Sequence, residues 1–237
     1  MPLQVDWKGV YPAIPTQFNE DLSVDLAATQ EHAQALLDNG IHGIVLLGTI
    51  GEGTSLSRAE KVDVLRAIVE VAGGKVPVLS GVAEFTTQGA CDMVQAAADA
   101  GVDGIMLLPA MVYKADPRET IAHFRTVAES SPVPIMCYNN PPVYRVDITP
   151  EMFQELMDVE TIVCIKEASG DVRRITDLFN ALGDRSVIFA VLDDVPLESF
   201  IPGCTRRIPG RLDAVPLQHR MRWDAALAGR RPEAARV

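Results

Sequence analysis

No apolar run in the 237 residues is long enough to span a bilayer, which takes about 20 such residues. Basic residues are in the minority. Lys and Arg number 21 against 32 Asp and Glu, a formal net charge of -11. That argues against an extended phosphate-binding surface, which needs clustered cations, so no nucleic-acid partner is expected. Cysteine is scarce and scattered: Cys91, Cys137, Cys164 and Cys204 include no pair at metal-ligand spacing. Small core residues in a reducing compartment are expected, not a disulfide framework or a metal site. Residues 1–7 have neither a basic stretch nor an apolar one, so no signal peptide is expected. The expectation is a cytoplasmic, soluble chain with no membrane partner. At 48% hydrophobic and 22% charged, it has ample material for a core.

What is present is an alternation. Strand-like runs occupy Gly9–Thr16, His42–Gly48, Val76–Gly81, Gly104–Leu108, Val133–Tyr138, Thr161–Lys166 and Ser186–Val191. Most are continuously apolar, as strands of a parallel sheet buried on both faces would be. Helical patterns lie between them. Leu22–Asp38 stops at Asn39-Gly40, and Ser57 opens the next with Glu60 three residues on, a capping box. Thr87–Ala100 ends at Gly101, and Pro117 opens a fourth that runs to about Ser130. Thr149-Pro150 starts a fifth, and Asp171–Leu182 stops at Gly183. This is the pattern of a (β/α)8 TIM barrel. A doubly wound sheet would call for a phosphate-binding glycine turn, and the one candidate, Gly48–Gly53, has neither the P-loop lysine nor dinucleotide spacing.

The pattern fails after residue 199. Arg206, Arg207, Arg211, Arg220, Arg222, Arg230, Arg231 and Arg236 crowd a stretch with no Lys, broken by Pro202 and Pro209. Residues 1–199 therefore read as a catalytic barrel of seven strands. Residues 200–237 read as an atypical Arg/Pro-rich tail with the composition of a frameshift, the eighth strand and C-terminal helical region missing or degenerate. A barrel left open there would have two bare edges and impaired stability.

Three places carry chemistry. Lys166 ends an apolar strand, where barrel active sites lie. Apolar surroundings disfavour its ammonium form and leave an amine able to attack a carbonyl, unless it reaches the rim or pairs with Glu167. Tyr138 ends the preceding strand and could move protons beside such a lysine. The glycine turn at Gly48-Thr49-Ile50-Gly51 can aim backbone N–H groups and the Thr49 hydroxyl at an anion, or be only a tight βα turn.

Gly-Thr-x-Gly-Glu, Tyr-Asn-x-Pro and Ile-Lys-Glu-Ala-Ser-Gly, with Gly9–Thr16 before them, resemble in order and spacing the dihydrodipicolinate synthase / N-acetylneuraminate lyase family. The resemblance spans about residues 7 to 199. It implies an imine between Lys166 and a small 2-oxo acid such as pyruvate, a carboxylate held at Thr49 and Gly48, and proton transfer by Tyr138. It implies a homo-oligomer, dimer or tetramer, and no metal or organic cofactor. Ile50, Tyr113, Tyr144 and Arg145 are the further substrate-binding candidates.

Departures from the synthase branch bear on substrate. Ile50 replaces a second hydroxyl, Val143 stands where that branch has an arginine, with Arg145 two residues on, and Tyr113 is displaced from the position of a tyrosine shared across the dimer. Val191 replaces a glycine before Asp193-Asp194. The loop Tyr138–Asp147 resembles catabolic branches more, such as hydroxy-2-oxo acid aldolases or hydroxy-pyrroline-carboxylate deaminase. Lysine-biosynthetic 4-hydroxy-tetrahydrodipicolinate synthase and a catalytically impaired barrel are the alternatives.

Overall fold

The computed structural model describes residues 3–110, 112–191, 196–200, 204, 206–208 and 215–236. Met111, Asp193-Asp194, Pro202, Pro209 and Arg211 lie outside these. The apolar runs form strands β1 (Gly9–Val10), β2 (Ile44–Leu46), β3 (Val78–Val82), β4 (Gly104–Leu107), β5 (Ile135–Asn139), β6 (Ile162–Glu167) and β7 (Val187–Ala190), and an eighth, β8, covers Arg206–Arg207. The helices are α1 (Leu26–Asp38), α2 (Arg58–Ala72), α3 (Thr87–Asp99), α4 (Pro117–Ser130), α5 (Pro141–Tyr144), α6 (Pro150–Leu156), α7 (Arg173–Leu182), α8 (Pro196–Phe200), α9 (Pro216–Leu227) and α10 (Arg231–Ala234).

The caps follow local chemistry. Ser57 and Glu60 close a capping box on α2, Asp116 and Glu119 close another on α4, and Thr149 caps α6. The first helix starts later than its apolar pattern predicts, because Leu22 sits at φ 68° in an exposed turn and Asp25 caps Ala28.

All strand pairs are parallel, in the order β1-β8-β7-β6-β5-β4-β3-β2. The two ends of this sheet meet through a parallel bridge, Ala13 to Val45, with Ile14 N–H donating to Val45 O at 3.0 Å and Val45 N–H to Pro12 O at 2.8 Å. The sheet thus curls into a barrel. One apolar cluster, including Leu65, Ile68, Phe124 and Phe153, fills the layer between strands and helices. A second, including Trp7, Tyr11, Met106, Met136, Cys164, Phe189 and Ile208, fills the barrel itself.

The expected loss of the eighth strand is corrected here. β8 pairs Arg206 with Gly9 and Arg207 with both Val10 and Ala190, and Ile208 N–H donates to Ala190 O at 3.1 Å. It escaped detection because it is two arginines long and shows no apolar run. Arg206 is accommodated by donating from Nε to Trp7 O at 2.8 Å. The C-terminal helices are also present. Arg220 of α9 donates to Asn39 O at 3.2 Å, covering a carbonyl at the end of α1, and Trp223 lies 4.7 Å from the His42 ring.

Candidate active site

Lys166 reaches the barrel interior because of an irregularity in its strand. Ile135 pairs with Ile162 but Met136 pairs with Cys164, so Val163 is an extra residue against β5. Ile162 faces the helices, and strict alternation would carry Lys166 to that same side. The inserted residue shifts the phase, so Lys166 pairs with Tyr138 on the inside and Glu167 with Asn139 on the outside.

Inside, Lys166 is 4% exposed. Its Nζ stands 3.9 Å from the centre of the Tyr138 ring and 3.4 Å from Met106 Sδ, and no ion pair among the described residues involves it. Burial, unrelieved by a carboxylate, lowers its pKa from 10.5 to about 7. The alternative partner, Glu167, is turned away. It accepts from Asn139 Nδ2 at 3.0 Å and Ser169 N–H at 2.6 Å, and burial raises its own pKa.

Tyr138 accepts from Asn140 Nδ2 at 3.0 Å, and burial pushes its phenol up. Tyr144, at the end of α5, packs edge-on against it with ring centres 5.4 Å apart. The Tyr144 hydroxyl lies 2.5 Å from Thr49 Oγ1. Thr49 belongs to a turn shaped by its backbone. Leu47 has φ 54°, and a Cβ on Gly53 or Gly81 would come within 2.2 or 2.6 Å of Leu47 O. Only glycine fits there. The N–H groups of Thr49 and Ile50 donate to no acceptor among the described residues, and Gly48 leaves room for Met106 Cε.

Lys166, Tyr138, Tyr144, Thr49 and Gly48 are therefore gathered at the carboxyl ends of β2, β5 and β6. Ile50 is 40% exposed beside Thr49. Two candidates are not drawn in. Tyr113 is 63% exposed with its hydroxyl on Glu119 Oε1 at 3.2 Å, and Arg145 is an exposed residue at φ 61° that ends α5.

Sequence reasoning missed Met106, whose sulfur meets the lysine, and the buried polar lock behind it. Asn139 Nδ2 also donates to Asp147 Oδ1 at 3.2 Å, Ile148 N–H donates to Asn139 Oδ1 at 2.9 Å, and Arg174 holds Asp147 at 2.8 and 2.9 Å. Polar Asn139 and Glu167 inside apolar strands were the available signal.

A parallel β/α barrel with a buried, unpaired lysine at its carboxyl mouth is the architecture of a Schiff-base-forming enzyme. Comparison with known proteins narrows this: the chain belongs to the dihydrodipicolinate synthetase family, whose model matches residues 6–237. Family members are class I Schiff-base lyases, typically homotetramers. The chain is 33% identical over 201 residues to 4-hydroxy-tetrahydrodipicolinate synthase of Desulforamulus reducens, covering 84% of this chain and 68% of that protein. The same enzyme of Methanothrix thermoacetophila is 36% identical over 202 residues, covering 84% and 67%. The alignments thus take in about two thirds of these relatives' length. Among solved structures, a dihydrodipicolinate synthase of Bacillus anthracis superposes with a TM-score of 0.94 at 30% identity, covering 98% of this chain and 80% of that one. The Acinetobacter baumannii enzyme, solved with pyruvate, gives 0.92 at 27% identity, covering 96% and 78%.

Proposed function

We propose that the chain is a lyase that binds pyruvate or another small 2-oxo acid as an imine on Lys166. The observation that carries this is the burial of Lys166 among Tyr138 and Met106 with no counter-charge among the described residues, which supplies free amine near neutral pH. The substrate carboxylate sits on the N–H groups of Thr49 and Ile50, which have no acceptor among the described residues. Nζ attacks the 2-oxo carbon, the carbonyl pair moves to oxygen, and Tyr138 protonates that oxygen. The phenolate then recovers a proton from nitrogen. A second proton passing the same way releases water and leaves the C=N bond. Protonated, that imine accepts the electron pair of a breaking bond at the neighbouring carbon, which is the step shared by aldol cleavage, dehydration and deamination.

Two features favour a catabolic branch, an aldolase or a hydroxy-pyrroline-carboxylate deaminase. Ile50 and Val143, 40% and 57% exposed, make the rim apolar, and Arg145 is exposed, so a second substrate carboxylate meets no guanidinium among the described residues of the rim. The names of the relatives favour instead 4-hydroxy-tetrahydrodipicolinate synthase activity.

Borohydride reduction in the presence of pyruvate, followed by peptide mass spectrometry, tests the imine. The expected result is one adduct, on Lys166. A folded protein that yields none would overturn the proposal. Turnover of a hydroxylated 2-oxo acid or hydroxy-pyrroline carboxylate, without condensation of pyruvate and aspartate semialdehyde, would select the catabolic branch.

A further inference from the structure

Tyr144 stands between two groups the imine chemistry uses. Its phenol is 9% exposed, meets Thr49 Oγ1 at 2.5 Å and lies edge-on to Tyr138, so one side chain bridges the turn after β2 and the end of β5. We infer that Tyr144 is a positioning residue that aligns Thr49 and Tyr138 for proton movement at Lys166. The inference rests on the Schiff-base function proposed above.

Three observations support it. First, Thr49 is itself exposed, and its hydroxyl has one protein partner, Tyr144. Without that partner a threonine rotor at a barrel mouth would turn among waters. Second, Tyr138 accepts a bond from Asn140, so its own O–H is the group that donates, towards Tyr144 or a reacting oxygen. The two phenols act on each other as well: burial raises both pKa values, Tyr144 adds to the rise at Tyr138, and contacts with Thr49 and Tyr138 offset part of the rise at Tyr144. Third, the segment bearing Tyr144 is fastened down. Asn140 caps α5 through Val143 N–H, and the chain beyond Tyr144 is held by Ile148 N–H on Asn139 and by Arg174 on Asp147. A loop tied at both ends holds its phenol in one place. Within the protomer, Tyr113 is exposed and bound to Glu119, away from this group.

The test separates imine formation from proton movement. The full chain and its Tyr144→Phe, Thr49→Val and double variants are compared in two assays. One is borohydride trapping at saturating pyruvate. The other is exchange of the pyruvate methyl protons for deuterium in heavy water, followed by proton NMR. Tyr144→Phe keeps the ring and loses only the hydroxyl. Adduct yield should stay at the wild-type level while exchange falls by about 10- to 100-fold, the range of a lost proton-transfer group. The double variant should be no slower than the slower single one, because the hydroxyls act as a unit. Wild-type exchange in Tyr144→Phe, multiplying losses in the double variant, or an adduct lost in step with exchange would overturn the role of Tyr144 alone. No adduct in the wild-type chain would remove the Schiff-base function and this inference with it.

Discussion

Lys166 is held in the fold against its own preference for water. Its pKa of about 7 lies below the 10.5 of an exposed lysine, so between those values the unfolded chain binds a proton that the folded chain does not. Stability from this group therefore rises as pH increases from about 7 towards 10.5 and stays at its lowest below 7, a penalty of roughly 5 kcal/mol at most. Lys166→Met should form no adduct and should melt higher than the parent at pH 7, by an amount that shrinks by pH 10. Thermal melts at the two pH values check this, and equal melting temperatures at pH 7 would mean that burial does not strain the amine. At this scale much was legible. A lysine, a tyrosine and a threonine stood at three strand ends, and all three converge. Tyr113 and Arg145 did not, because their exposure is set by loop geometry that residue type does not reveal.

The strands β5 and β6 work as one element. They share the extra residue Val163, which turns Lys166 inward, and the buried bonds of Asn139, which fix their ends. Asn139 is fully buried, and its amide satisfies Glu167, Asp147 and Ile148. Asn139→Ala should cost about 2–4 kcal/mol by leaving these groups unmatched. Asp147→Ala should cost less, because the Asp147 side chain is 40% exposed and water replaces its partners. Urea unfolding of both variants measures the difference, and an equal loss would place the lock in the Arg174 pair instead. The seven apolar runs announced the strands, but a phase shift of one residue leaves no mark in an apolar stretch such as Ile162-Val163-Cys164-Ile165. Only pairing with β5 shows it.

For the whole molecule, the eighth strand decides whether the barrel is a closed object. Arg206–Arg207 fills the gap between β1 and β7, and α9 holds the start of the barrel through Asn39 and His42. A chain ending at residue 199 should lose its cooperative melt and elute as aggregate in size-exclusion chromatography, because β1 and β7 would both present bare edges. A monodisperse, cooperatively melting product would show that seven strands close by themselves. β8 was illegible because it is brief and cationic, and its place is determined by neighbours distant in sequence.

The turn after β2 has a wider consequence. Its path is dictated by Gly51, Gly53 and Gly81 crowding the Leu47 peptide, while the Ile50 side chain is exposed at the mouth. The scaffold and the chemical lettering are therefore separable here. Ile50 is an exchangeable letter, and new substrates could be recruited by rewriting it while Thr49 and the three glycines stay as they are.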